Sequence, residues 1–166
     1  MYLGISLGHG TDREAEHWLR ENVRPLGLPG LVACTHLVRT PRPHVAISLS
    51  VSSPVPLPPG LPELREGTAL AVHEHRARRS GRAVLYPGIE HLVGTVRVDE
   101  LLERTAIDQV VLLGGARAAP ETAIETGDFV RPQWRNGELT LIATPLRPGR
   151  IAPFEMPNPT PCCAGH

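Results

Sequence analysis

The chain has 166 residues, 41% apolar and 20% charged, with 17 basic and 17 acidic side chains and a formal charge of zero. That length suits one domain with a core of its own, and the composition excludes a disordered chain. The charges are interspersed, and Arg76, Arg78, Arg79 and Arg82 form only a short cluster, so neither nucleic acid nor an acidic membrane surface is indicated as a partner.

Every basic residue is Arg. Without lysine the chain has no Schiff-base mechanism and no P-loop lysine. Residues 1–8 are too few and too soon interrupted for a signal peptide, and no apolar run approaches the length of a membrane span. The 3 cysteines, Cys34 and the adjacent pair Cys162 and Cys163, make a poor disulfide framework. A reducing, cytoplasmic compartment is therefore expected.

In chain order, residues 2–7 read as a short strand, and Gly8-His9-Gly10 turns the chain. Thr11 is a good N-cap and Glu14 completes a capping box. Ala15, Trp18, Leu19 and Val23 follow at helical spacing, which predicts a helix over 12–23 with Trp18 and Leu19 facing the core. Pro25, Gly27, Pro29 and Gly30 end it. Residues 31–39 read as a strand, and Val45, Ile47, Leu49 and Val51 alternate with small residues in the next. The short link between them, marked by Pro41 and Pro43, predicts a hairpin.

Residues 53–62 carry Pro54, Pro56, Pro58, Pro59 and Pro62, which exclude a central strand or a helix; an extended surface loop acting as a stiff connector is expected, with a docking peptide for a partner as the alternative. Residues 68–77 and 82–86 are expected as two strands around Ser80-Gly81. Val98, Leu101 and Leu102 mark a short amphipathic helix, with Asp99 and Glu100 in its first turn and Arg104 in its last. Residues 109–113 form a continuous apolar run before Gly114-Gly115, the pattern of a strand buried on both faces. Residues 129–134 and 138–144 flank Asn136-Gly137, a strong hairpin signal. About seven strands and two helices result, which suits a single α+β domain over residues 1–150: a mixed or mostly antiparallel sheet with the helices packed on it, and a doubly wound α/β arrangement as the alternative. Residues 151–166 read as a Pro-rich extended tail.

No G-x-S-x-G, H-E-x-x-H, Walker or G-x-G-x-x-G signature is present. Gly114-Gly115-Ala116-Arg117 lacks the third glycine of a phosphate-binding turn. What stands out is soft-ligand chemistry. Cys34 and His36 lie two apart on one expected strand, and His73 and His75 do so on another, so each pair leaves one face of its strand. Cys162, Cys163 and His166 crowd the tail. Thiolate and imidazole suit zinc, copper(I) or iron, and two such pairs on neighbouring strands would make a four-ligand site, with zinc the expected cofactor. The plainer alternative has the histidines on the surface and Cys34 as a small buried apolar residue.

A second candidate centre is the turn Gly8-His9-Gly10-Thr11-Asp12, where amide N–H groups at a helix N-terminus attract anions and His9 would act as a general acid or base. Asp128, Arg131, Trp134 and Arg135 flank the Asn-Gly turn, where the Trp serves either as an interface anchor or as a half-buried prop of its own hairpin. Three functions follow. The leading one is a metal-binding protein using Cys and His, catalytic if the metal activates water. The others are a non-catalytic interaction module or homo-oligomer, and a metal-free enzyme or binder of a small molecule centred on His9.

Overall fold

The computed structural model describes residues 1–56 and 65–157. Its centre is a 10-stranded mixed, mostly antiparallel sheet, carried with three helices among the described residues. No described helix is long and apolar enough to cross a membrane.

The first half builds from local signals. Strand β1 (Tyr2–His9) pairs antiparallel with β3 (His44–Ser50), with Ile5 opposite Ile47. The expected hairpin joins β2 (Val32–Val38) to β3, with Cys34 opposite Ser48. Helix α1 spans Asp12–Asn22, and the Thr11 hydroxyl accepts the Glu14 amide at 3.2 Å. Ala15, Leu19 and Val23 are buried in one cluster with Ile5, Ala33, Val45, Ile47 and Leu49, while Trp18 packs on its border. Side chains alternate along a strand, so Gly4, Ser6, Cys34, His36, Ala46 and Ser48 point to the opposite face.

That opposite face is covered by α2 (Arg65–Arg76), in the segment expected to be a strand. Thr68 and Val72 are its β-branched residues, while Ala69, Leu70, Ala71, Glu74 and Arg76 are strong helix formers. Gly67, Ala71 and His75, spaced by four, are its buried stripe. The helix lies so close that a Cβ on Gly4 would come within 2.5 Å of the Thr68 carbonyl oxygen.

Strand β4 (Arg82–Leu85) pairs with β2 and hands the sheet to the second half. There β5 (Thr95–Arg97) and α3 (Val98–Arg104) precede β6 (Gln109–Leu112), with β7 at Ala123–Glu125. Strands β8 (Gln133–Arg135) and β9 (Glu138–Arg147) form the Asn136-Gly137 hairpin, both turn residues at positive φ. Strand β10 (Arg150–Pro153) carries the sheet into the stretch expected to be tail. The order is β1-β3-β2-β4-β8-β9-β10-β7-β5, with β6 parallel to β9. The run over 109–113 is not buried on both faces, since Leu113 is 51% exposed beyond the end of β6. Strands β5, β7 and β10, three or four residues each, were too short to leave a periodic signal.

One buried ion-pair network ties the halves together. Glu16 on α1 accepts from Arg131 at 3.1 and 2.8 Å and lies 2.6 Å from a guanidinium nitrogen of Arg82. Arg82 also donates to Glu155 at 2.6 Å. Phe129 lies beneath both guanidinium groups. Burial pushes the Glu16 carboxyl up, but the two arginines outweigh it and hold it below the ordinary carboxylate range.

Candidate functional site

The face between the sheet and α2 is polar where a core is normally apolar. β2 and β3 place Cys34 and Ser48 opposite one another, β2 adds His36, and the last turn of α2 brings His75 down onto them. The Ser48 hydroxyl lies 2.7 Å from His36 Nε2 and 2.8 Å from His75 Nδ1. A hydroxyl with one hydrogen donates to one imidazole and accepts from the other. Of the two ring nitrogens facing it, one therefore carries a proton and one is bare. On its far side His75 meets Cys34, with Sγ 4.0 Å from Nε2. All four residues are buried.

Burial fixes the protonation states. Desolvation, with the nearby His75 adding to it, pushes the His36 pKa down to about 3. Desolvation and the Arg78 charge push His75 down to about 4. Burial pushes the Cys34 thiol up, against a smaller pull from the Trp134 indole. At neutral pH the group is thus two neutral imidazoles, a hydroxyl and a protonated thiol.

One end of this chain reaches a cleft of about 280 Å³. Its lining includes Tyr2, Val32, His75, Arg78, Asp108 and Trp134. The Tyr2 ring stands edge-on to His75 at 5.2 Å between centroids, and Trp134 lies 6.0 Å from it on a tilt. The Arg78 guanidinium sits 4.9 Å over the Trp134 ring. Arg78 follows the end of α2 in the left-handed conformation, φ 50°, where glycine is the usual choice.

Of the expected metal set, Cys34, His36 and His75 come together and His73 does not. In a helix, residues two apart point in divergent directions, so α2 turns His75 inward and leaves His73 exposed beside Arg79. His75 directs one nitrogen at Ser48 and the other at Cys34, and the His36 and His75 ring centroids are 6.4 Å apart. No group of three His, Cys, Asp or Glu able to hold a metal ion occurs among the described residues. Cys162, Cys163 and His166 lie outside the described residues.

His9 lies on the α1 side, its ring centroid 6.5 Å from that of Trp18. Burial lowers its pKa, with Glu14 opposing, and its Nε2 is buried without a hydrogen-bond partner. The turn expected to take an anion is closed by the chain's own carboxylate, since Gly10 N–H donates to Glu14 at 2.7 Å. His9 does not line the cleft over His75. Trp134 is buried rather than a surface anchor, and Arg131 serves the ion-pair network. Asp128 holds a turn by accepting the Gly94 amide at 2.9 Å.

No protein-family model, curated protein or solved structure matches this chain. Sequence reasoning found Cys34, His36 and His75, and missed Ser48, Tyr2 and Arg78. Ser48 falls on the side of the strand opposite Val45, Ile47 and Leu49, which alternation alone marks as solvent-facing; its pairing with Cys34 under α2 is what places it in the site. Tyr2 and Arg78 leave no signal in the sequence, because packing across the sheet sets their roles.

Proposed function

We propose that this chain is a small-molecule-binding protein whose site is the cleft over His75. One observation carries the reading: an aromatic-walled concavity ends on a neutral imidazole that a buried Ser48–His36 pair holds in place. Both nitrogens of the ring are engaged, by Ser48 and Cys34, so it forms a fixed, uncharged floor against which a small ligand packs, with polar contacts left to the charged groups of the lining. The volume is just below the usual range of about 300–1,000 Å³, so the ligand is small. Binding is favoured over proton-transfer catalysis. A general base works best with a pKa near the working pH, and His75, at about 4, lies well below neutrality.

The test uses the chain's 2 tryptophans. A Trp18→Phe variant leaves Trp134 as the reporter. Titration with benzoate, phenol, indole and L-phenylalanine should give a saturable change in its emission with at least one of them, and Tyr2→Ala should weaken that response. A flat response to every fragment overturns the reading. So does one equivalent of zinc, copper or iron co-purifying with untagged protein and lost together with Cys34→Ala, which would restore the metal function expected from the sequence.

A further inference from the structure

We infer that the ligand of the cleft over His75 is a zwitterion, carrying a carboxylate and an ammonium group on a small apolar or aromatic body, as a free α-amino acid does. The inference rests on the reading of the cleft as a small-molecule site. Its own basis is the pair of opposite charges on the lining, Arg78 and Asp108. Both residues are exposed. No ion pair joins them to each other or to any other described residue.

Both are held in place. Asp108 is pinned to β9 twice: its amide donates to the Leu139 carbonyl at 2.8 Å, and its Oδ2 accepts the Leu139 amide at 2.6 Å. Its other oxygen meets no donor among the described residues. The Arg78 carbonyl accepts the Gly137 amide at 3.1 Å, which anchors the residue in its left-handed conformation while the guanidinium lies on Trp134. A side chain in that backbone region costs about 1 kcal/mol or more and persists where the surroundings enforce it, often at ligand sites.

The chemistry that answers this arrangement is specific. A guanidinium takes a carboxylate through paired N–H donors. A fixed aspartate oxygen takes an ammonium group. The Tyr2 ring and Val32 line the same cleft and would flank an apolar body, while Trp134, buried, backs the Arg78 guanidinium. A ligand with one charge leaves either Arg78 or Asp108 unanswered. A phosphate or a dicarboxylate would have to approach Asp108 with like charge.

The experiment compares four probes of similar body in the Trp18→Phe protein: L-phenylalanine, 3-phenylpropionate, phenethylamine and benzyl alcohol, followed by Trp134 emission and by calorimetry. L-Phenylalanine should bind about tenfold more tightly than either singly charged analogue. Arg78→Gln should abolish its advantage over phenethylamine, and Asp108→Asn its advantage over 3-phenylpropionate. If a singly charged or neutral probe binds as well as or better than L-phenylalanine, the zwitterion inference is overturned while the binding cleft stands. If no probe or fragment binds at all, both are overturned. The ranking of probes in protein with Arg78 and Asp108 intact decides the matter even where a variant folds poorly.

Discussion

Two imidazoles locked away from water give the molecule a predictable response to acid. His36 and His75 are held at about 3 and about 4, against an ordinary value of 6.5. The folded chain therefore keeps them neutral in a range where the unfolded chain protonates both. Stability is complete above pH 6.5 and falls as pH drops, until the folded rings themselves take protons near 4 and 3. With two extra protons bound by the unfolded state, the slope approaches roughly 2–3 kcal/mol per pH unit below pH 6. His9, lowered by burial, adds in the same direction. Urea denaturation between pH 6.5 and 5, above most carboxylate titration, reads the imidazoles directly. His75→Gln should flatten the slope by about one proton, and a stability that does not change across that window would refute the buried neutral pair. Gly67 stands beside a buried serine–histidine contact, Ser6 and His44, whose Oγ and Nε2 lie 2.9 Å apart. A Cβ there would come within 2.5 and 2.6 Å of those atoms, which accounts for a glycine inside a helix that would otherwise favour alanine by about 1 kcal/mol.

At the scale of elements, the contrast is between signals carried within a segment and signals that need a partner. Helix α1 was legible because Thr11, Glu14 and the apolar stripe all lie within it, and the β8–β9 hairpin because Asn136-Gly137 dictates its turn. Helix α2 was misread because Thr68, Leu70 and Val72 also satisfy a period of two. The spacing of Gly67, Ala71 and His75 matters only once a sheet lies beneath it. The same division holds for the site. Cys34 and His36 share a face by strand geometry alone, whereas the arrival of His75, and its exclusion of His73, follows from the helix. The ion-pair network shows what elements do for each other. Glu16→Ala would leave Arg131, with its side chain 9% exposed, without a carboxylate, and should cost about 3 kcal/mol. Glu155 is 34% exposed, and its loss should cost at most about 1 kcal/mol, because Arg82 keeps Glu16. Shifts in urea midpoint measure both, and a larger loss for Glu155→Ala than for Glu16→Ala would show that the network is assigned wrongly.

Over the whole molecule, the cores interlock rather than sit side by side. Cys34 and Ala83, from the first half of the chain, belong to the same apolar cluster as Trp134, Leu139 and Leu141 from the second. The sheet crosses between the halves at β4 and β8, where the Ala83 amide donates to the Pro132 carbonyl at 2.8 Å and the Trp134 amide to the Gly81 carbonyl at 2.9 Å. One cooperative transition is therefore expected, with far-ultraviolet circular dichroism and tryptophan emission superimposing through denaturation. Two separated midpoints would mean that the halves unfold independently.

The contact between Glu16 and Arg131 also sets a clock. The two residues are 115 positions apart. At a synthesis rate of about 5–20 residues per second, Glu16 is made roughly 6–23 seconds before its partner. Arg82 can supply a counter-charge earlier in that interval, but the second arginine of the Glu16 network comes only with Arg131. Until then the apolar stripe of α1 can pack on β1, β2 and β3, while its buried carboxylate still lacks half of its counter-charge.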